Sequence, residues 1–461
     1  MSDKGNEVYF PVESIMGLGH LNRTGKLVRE MVKNGLDVTV ASGSFVDPQR
    51  FFEGAHLSEI PPIVIKGRDV YFTLNADGTR TVMPGFNEAA QRGERTRAHL
   101  NNLAEIRPDM VISEFWPFNR AQVDEEMNAM LARIKTSGDK VLKIASVRDV
   151  LDPPGDKTPE AEERHKAREA FAVKTINENF DAVLVHGDPN FIPLSETFAS
   201  AGELKVPVIY TGYVVDEMPK RTIAPDDRNA PVVVSCGAGA DCHELIMSFL
   251  TAWEKLLARR DAEPAVAKLV NRPVIIISGP RFEPNTYREI EDWSKLVAEA
   301  SGHPVTVEHY RKDFTSLLAN AAFSVSFAGY NTTLETLATG VPHVMVPNYA
   351  FYNGRMKMNT EQLYRLERLS EKGYAAYAHP DDVQKAKKFA DILVNEYTRQ
   401  TSGNHEHPRL NFDGAENTIA TISRMLRQQE EGIAPACAVA AAPTPAATPA
   451  VALAPAPVLP R

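Results

Sequence analysis

Three glycine-containing segments of the sequence hold side chains that can bind an anion or move a proton. In the first, Met16–Arg23, the residues Gly17, Gly19 and His20 follow a β-rich stretch and precede an amphipathic helix. Glycines let the backbone come close to a ligand, and the N-terminus of a following helix favours an anion. His20 is therefore a candidate general base or a contact to a phosphate or sugar. The structural alternative is a tight turn with a capping or solvent-facing histidine.

The second segment, Val232–Asp241, has the same order of strand, small-residue loop and helix. The backbone N–H groups of Gly237, Gly239 and Ala240 could surround a diphosphate, and the helix dipole would add about 0.3–1 kcal/mol. Because that contribution is small, binding would depend on several N–H groups together. The segment lacks the lysine of a P-loop, which disfavours nucleotide hydrolysis of that type. A strand-to-helix turn with no ligand is the alternative.

The third segment, Phe327–Pro342, begins with a glycine turn, continues as a short helix and ends with a glycine and a proline. Its candidate donor-binding residues are Gly329, Asn331, Thr332, Thr333 and Glu335. The two threonines could bind phosphate oxygens, and Glu335, in the first turn, could accept both hydroxyls of a ribose. Such charged hydrogen bonds contribute about 1.5–3 kcal/mol each. An acidic side chain that only complements the helix dipole is the alternative for Glu335.

A fourth segment opens the helix that follows Asn359. Its residues Glu361 and Gln362 could meet sugar hydroxyls, although by itself the segment is typical of a charged amphipathic helix. Two cations, Arg281 and Arg355, lie in the same half of the chain and could stabilise a leaving group.

These segments are separated by β-rich runs that alternate with amphipathic helices, a pattern typical of parallel sheets built from βαβ units. In the first half we expect strands at Glu7–Val12, Asp37–Ala41, Pro62–Lys66, Met110–Ser113, Val141–Ala145, Ala182–His186 and Val206–Tyr210. In the second half we expect strands at Val232–Ser235, Val274–Ser278, Val305–Glu308, Phe323–Phe327 and Val344–Val346, and the later helices include Thr332–Thr339 and Asp381–Tyr397. The segment Asp69–Val82 is expected to form a loop or hairpin, and Tyr349–Asn353 a loop.

The alternation breaks once, in a proline-containing stretch, and this divides the chain into two Rossmann-like halves. The predicted divisions are a first domain at 1–216, a linker at 217–230, a second domain at 231–412, a C-terminal helix at 413–431 and a tail at 432–461. The tail is almost entirely Ala, Pro, Val and Thr, which cannot bury a core, so it is predicted to be disordered.

Composition narrows the class of protein. The chain has 461 residues, 43% hydrophobic and 24% charged, as expected for two globular domains. A net charge of -9 disfavours nonspecific nucleic-acid binding. The three cysteines, Cys236, Cys242 and Cys437, do not suggest a disulfide scaffold or a zinc site. No signal peptide or transmembrane segment is recognisable, so we expect a cytoplasmic protein, while peripheral membrane contact stays open.

With these residues in view, the chain resembles glycosyltransferase family 28, which includes the enzyme that adds N-acetylglucosamine to the lipid-linked cell-wall precursor. It looks most like a set of bacterial predicted glycosyltransferases. The stretches that carry this resemblance are Gly17–Arg23, Phe115–Arg120, Val147–Leu151, Leu184–Pro189 and Tyr210–Val214. The resemblance covers roughly residues 6 to 428, and the ordered set of motifs is more specific than any one of them.

The resemblance implies a GT-B fold, in which two Rossmann-like domains face a central cleft. It places a nucleotide-sugar donor, UDP-linked in this family, mainly on the C-terminal half and the acceptor mainly on the N-terminal half. It assigns the ribose to Glu335, the diphosphate to Gly237 and Gly239, and the donor sugar to Glu361 and Gln362. The first glycine loop has fewer glycines than in the cell-wall enzyme, and no apolar, basic membrane-docking patch is conspicuous. These departures leave small-molecule, lipid-linked and glycan acceptors open.

The predicted activity is inverting transfer of a hexose or N-acetylhexosamine to an acceptor hydroxyl. The base would be His20 or a neighbouring carboxylate, either Glu114 at the end of its strand or Asp149. The sequence contains no Asp-x-Asp spacing, so neither a metal ion nor another cofactor is expected. A hydrolase or epimerase of nucleotide sugars, with water as the acceptor for hydrolysis, is the first alternative. A non-enzymatic nucleotide-sugar-binding or scaffold protein is the second.

Overall fold

The structure is a computed structural model. It describes residues 6–13, 19–43, 49, 51–63, 72–74, 80–82, 88–151, 158–224, 226–237, 242–279, 284–352, 355–402 and 410–433. The predicted tail from residue 434 onward lies outside the described residues, as does Cys437.

The N-terminal lobe is built on a parallel sheet. Its strands are β1 (Glu7–Val12), β2 (Asp37–Ser42), β3 (His56–Glu59), β4 (Phe72–Leu74), β5 (Arg80–Val82), β6 (Met110–Glu114), β7 (Leu142–Arg148), β8 (Ala182–His186) and β9 (Val208–Tyr210). The sheet has the order β3-β2-β1-β6-β7-β8-β9, and every adjacent pair is parallel. Strands β4 and β5 form a separate antiparallel hairpin, as the turn residues in that segment predict.

Helices cover the two faces of this sheet. They are α1 (Gly19–Lys33), α2 (Glu88–Ile106), α3 (Asp124–Ser137) and α4 (Pro159–Asn179). Helix α1 buries Leu21, Leu27 and Met31 at helical spacing, in one core cluster with the strand residue Phe10. Packing this amphipathic face on the sheet fixes where α1 begins, and with it the position of His20.

The C-terminal lobe repeats the design with a smaller sheet. Its strands are β10 (Val232–Ser235), β11 (Val274–Ile277), β12 (Val305–Glu308), β13 (Phe323–Phe327), β14 (His343–Val346), β15 (Tyr349–Tyr352) and β16 (Arg355–Met358). Its helices are α5 (His243–Leu257), α6 (Pro264–Val270), α7 (Pro284–Ser301), α8 (Phe314–Asn320), α9 (Tyr330–Thr339), α10 (Thr360–Glu371), α11 (Pro380–Val383) and α12 (Ala386–Thr401). The parallel sheet has the order β12-β11-β10-β13-β14, and β15 and β16 form an antiparallel hairpin.

The last helix, α13 (Gly414–Glu430), crosses back to the N-terminal lobe. Its buried residues Ile422 and Met425 belong to the same core cluster as Phe10 and Leu27. Helix α13 therefore completes the N-terminal core, although the chain reaches it only after the whole second sheet.

Several predicted boundaries were wrong. The third strand is His56–Glu59 instead of Pro62–Lys66, whose last three residues lie outside the described part. This edge strand carries little apolar pattern, and Pro62 cannot donate a ladder hydrogen bond. The predicted helix Asp381–Tyr397 is divided into α11 and α12 because Lys385 has an extended backbone. Tyr349–Tyr352 forms a strand where a loop was predicted.

Candidate active site

Both sheets place candidate residues at their topological switch points. The strand order reverses between β1 and β6 in the first sheet and between β10 and β13 in the second. Open parallel sheets bind ligands at the carboxyl ends of the strands at such points. His20 follows β1 and Glu114 ends β6, whereas Gly237 follows β10 and Gly329 follows β13. Four residues singled out by the sequence thus occupy the positions where this fold class binds ligands.

At the first switch point, a histidine and a carboxylate are in direct contact. His20 Nδ1 lies 2.6 Å from Glu114 Oε1, and Arg23 Nη2 lies 2.5 Å from the same oxygen. Arg23 is fully buried, and only 1% of the Glu114 side chain is exposed, against 15% for His20. The described residues offer no hydrogen-bond partner to Glu114 Oε2. Glu114 is therefore held inside the lobe while the histidine ring reaches its surface.

Burial and the neighbouring charges together determine the protonation states of His20 and Glu114. Burial is the main cause that lowers the pKa of His20 to about 4, and Arg120 and Arg148 lower it further against the opposing effect of Glu114. Burial would raise the pKa of Glu114, but the contact with His20 and the permanent positive charge of Arg23 lower that pKa instead. At neutral pH, His20 is thus uncharged, its Nδ1–H donates to Glu114, and Nε2 keeps a lone pair that can accept a proton.

The turn after β6 holds this carboxylate in place. Phe115 and Arg120 have φ angles of 64° and 70°, in a region that non-glycine residues rarely adopt. The Phe115 ring meets the His20 ring edge-on, at 5.4 Å between centroids. A small recess of about 20 Å³ lies among residues that include Glu114, Trp116 and Arg120.

The second switch point is made of glycines and hydroxyls instead of charges. Gly237 has a φ of 65°, and a Cβ added there would lie 3.8 Å from Thr332 Oγ1; at Gly329 the distance would be 3.9 Å. These three residues therefore lie together. Thr333, by contrast, is fully buried, so its hydroxyl does not reach the surface. Helix α9 begins at Tyr330, which places Glu335 in the second turn and not the first.

Glu335 faces the N-terminal lobe and is already paired there. Lys26 Nζ lies 2.8 Å from Glu335 Oε1 and 3.6 Å from Asp216 Oδ2. Close by, Asn331 Nδ2 donates to the backbone oxygen of Gly19 over 3.2 Å. A ribose at Glu335 would have to displace the Lys26 ammonium group.

The lobes also touch through apolar side chains around α9. Tyr330 and Leu334 of α9 share one buried cluster with Val150 and Tyr213 of the N-terminal lobe. The Tyr330 hydroxyl donates to the backbone oxygen of His186 over 3.1 Å. The cleft is closed at this place, so a nucleotide at Glu335 requires the lobes to move apart.

A second set of ion pairs crosses between the lobes near α10. Arg365 Nη2 lies 2.9 Å from Asp149 Oδ1 and 2.8 Å from Glu361 Oε1, and Arg365 Nε lies 3.1 Å from Asp149 Oδ2. Arg148 Nη1 lies 3.0 Å from Glu361 Oε1. Burial would raise the pKa of Glu361, but Arg148 and Arg365 lower it. Asp149 is fully buried and bound at both oxygens, a placement that favours a positioning role over that of the base.

The other predicted residues are separated from this set. The Gln362 side chain accepts from the backbone N–H of Asn348 over 2.8 Å, which holds the loop before β15. The side chain of Arg355 lies outside the described part. Also outside it are Gly17, Gly239, Ala240 and Arg281. Among the described residues, no three His, Cys, Asp or Glu side chains form a group that could hold a metal ion. No helix in the described ranges is long and apolar enough to cross a membrane.

The cations of the site were not predicted. Arg23 and Arg148 lie within stretches that carried the family resemblance, but neither was given a role. Lys26 lies within an ordinary amphipathic helix. Arg365 was detectable only as the partner of Glu361 four residues earlier, a spacing typical of helix ion pairs.

The fold and the arrangement at the switch points define a GT-B protein. Residues 253–392 match the glycosyltransferase family 28 C-terminal domain. This range contains α9 and α10, and so Glu335 and Glu361. Comparison with curated protein sequences finds no match.

Solved structures share the two-lobed fold over nearly the whole chain. MurG from Acinetobacter baumannii is 12% identical, with 91% of this chain and 100% of that chain covered and a TM-score of 0.51. CalG4, the calicheamicin glycosyltransferase, is 16% identical, with 94% and 100% covered and a TM-score of 0.52. A ugt transferase from Siraitia grosvenorii in complex with UDP is 13% identical, with 90% and 99% covered and a TM-score of 0.52. The expected GT-B fold is confirmed, and the chain is family 28-like, with distant similarity to MurG. The family match and the fold together support a glycosyltransferase.

Proposed function

We propose that this protein is an inverting glycosyltransferase that moves a hexose or N-acetylhexosamine from a UDP-sugar to an acceptor hydroxyl, with no metal ion required. The donor binds mainly to the C-terminal lobe and the acceptor to the N-terminal lobe. The acceptor is a small molecule, a lipid-linked molecule or a glycan, and the reaction takes place in the cytoplasm. The UDP in the Siraitia grosvenorii structure supports this choice of nucleotide.

The observation that carries this proposal is the contact between His20 and Glu114. Neutral His20 donates its Nδ1–H to an ionised carboxylate, so the ring is oriented, and Nε2, which meets Arg148 Nη2 over 3.4 Å, can accept a proton. This base lies at the surface where the N-terminal lobe meets the helices that carry Glu335 and Glu361.

The proposed reaction is a single displacement. His20 Nε2 accepts the proton of the acceptor hydroxyl while that oxygen attacks the anomeric carbon of the donor sugar. The bond between the anomeric carbon and the β-phosphate oxygen breaks, and its electron pair leaves with UDP. Glu114 stabilises the imidazolium that forms, because its carboxylate is 2.6 Å from Nδ1.

Donor binding is tested by titration calorimetry with UDP. The Glu335→Gln variant should bind UDP about tenfold more weakly, because a neutral amide accepts weaker hydrogen bonds from the ribose than a carboxylate does. Glu367→Gln, at an exposed position of α10, is the matched control. Unchanged affinity in Glu335→Gln would remove Glu335 from the donor site.

The reaction is tested with UDP-glucose and UDP-N-acetylglucosamine, both α-linked. Slow release of sugar to water, with the β-anomer appearing first by NMR, is expected for an inverting transferase without its acceptor. An α-anomer formed first would contradict inversion. Rapid release without any acceptor would favour the hydrolase, and recovery of an epimeric UDP-sugar would favour the epimerase.

A further inference from the structure

Arg148 lies between the base and the donor lobe. It is the last residue of β7, and 11% of its side chain is exposed. Its guanidinium group faces the Phe115 ring of its own lobe at 4.9 Å and the Tyr330 ring of the other lobe at 5.4 Å. Arg148 Nη2 is 3.4 Å from His20 Nε2, the nitrogen that keeps the lone pair.

Arg148 is not the only arginine that pairs with Glu361. Glu361 Oε1 is shared between Arg148 at 3.0 Å and Arg365 at 2.8 Å. If Arg148 turns away, Glu361 Oε1 keeps its hydrogen bond from Arg365, which also pairs with Asp149, so Glu361 is not left without a partner. Arg148 Nε is buried and has no hydrogen-bond partner among the described residues. The guanidinium group thus has both an unused donor and an exchangeable ion pair.

We propose that Arg148 binds the β-phosphate of the nucleotide-sugar donor, exchanging Glu361 for this phosphate when the donor enters. The inference rests on the proposed function and adds a residue to its donor site. If the hydroxyls of the donor sugar hydrogen-bond to Glu361, the phosphate on the anomeric carbon lies about one sugar ring away from that carboxylate. The guanidinium group that Glu361 has released can then reach this phosphate. Arg matches phosphate oxygens with two parallel N–H donors, and its charge stabilises the negative charge that develops on the leaving oxygen.

The test compares two ligands that differ by the β-phosphate, UDP and UMP, by titration calorimetry. The Arg148→Met variant should bind UDP about 10- to 100-fold more weakly, the range expected for a lost charged hydrogen bond, and UMP as the wild type does. Arg148→Lys should recover part of the UDP affinity because it restores the charge. Arg368→Met is the matched control, since Arg368 pairs with Glu196 across the same interface at 3.0 Å.

The outcomes separate this inference from the proposed function. Suppose that the wild type binds UDP and that Arg148→Met keeps the wild-type ratio of UDP to UMP affinity. This result would overturn the role of Arg148 but not the proposed donor. The same conclusion applies if both affinities fall by the same factor, as expected for an arginine with only a structural role, and if neither affinity falls. Wild-type protein that binds neither nucleotide would overturn the proposed donor itself. If Arg148→Met does not fold, Arg148→Gln gives the same comparison.

Discussion

The two switch points have the same topology and opposite chemistry. In the N-terminal sheet the point between β1 and β6 holds His20, Arg23 and Glu114, three groups that carry or transfer charge. In the C-terminal sheet the point between β10 and β13 holds Gly237 and Gly329, with backbone groups exposed by the missing side chains. One arrangement can move a proton, and the other can surround an anion. The difference indicates that repeated folds in one chain can divide a reaction between them.

The two regions also differ in whether their carboxylates form ion pairs within one lobe or between the two lobes. Glu114 is neutralised inside its own lobe by Arg23. In the C-terminal lobe, Glu335 is paired with Lys26 of the other lobe, and Glu361 is paired with Arg148 of the other lobe as well as with Arg365 of its own. Lobe separation would leave the first pair unchanged and break the other two. The base is therefore permanently assembled, whereas the donor site is assembled or blocked according to the distance between the lobes.

The largest expected effect comes from removing the base. His20→Asn should lower turnover of the donor by about 10²–10⁴, because general base catalysis is lost, while UDP affinity stays near that of the wild type. Steady-state kinetics and calorimetry measure the two quantities. His56→Asn, at an exposed position, is the control. Unchanged turnover in His20→Asn would mean that His20 is not the general base.

The next effect concerns the pairs that join the lobes. Asp149→Asn leaves Arg365 with one carboxylate partner instead of two in a fully buried place. We expect the free energy of unfolding to fall by about 3–5 kcal/mol, measured by denaturant titration. Exposed Asp139→Asn should change it by less than about 0.5 kcal/mol. A stable Asp149→Asn variant that has lost turnover would instead support Asp149 as the base.

Gly237→Val should weaken donor binding and leave turnover nearly unchanged, the opposite of the effect expected for His20→Asn. A side chain at a φ of 65° strains the backbone and covers the N–H groups. UDP should bind about tenfold more weakly, since at least one charged hydrogen bond to the diphosphate is lost, while turnover at saturating donor stays within about threefold. Gly35→Val has a similar φ of 82° with open space around it, and controls for strain alone. Equal losses in both variants would show that Gly237 has no special role in binding.

Most of the parallel strands, and the position of His20 at the first switch point, could be predicted from the sequence. Val232–Ser235, Val305–Glu308 and Phe323–Phe327 were predicted with the observed bounds, because short runs rich in Val or Phe between turn residues indicate strands. His20 was predicted from its position after a strand. The partners of Glu335 and Glu361 could not be predicted, since Lys26 and Arg148 are distant in sequence and meet them only when the two lobes pack together.

The smallest expected effect is on the pH dependence. With a pKa of about 4, His20 stays neutral as the pH falls from 7 to 5.5, so kcat/KM should stay nearly constant over this range. A histidine with the ordinary pKa would lose about nine-tenths of its neutral form by pH 5.5. Arg120→Met removes a charge that lowers the pKa of His20, so the acid limb should move to higher pH. Exposed Arg133→Met should leave it in place. An acid limb near pH 6.5 in the wild type would mean that His20 is open to solvent during turnover, and the contrast between a preassembled base and an adjustable donor site would no longer hold.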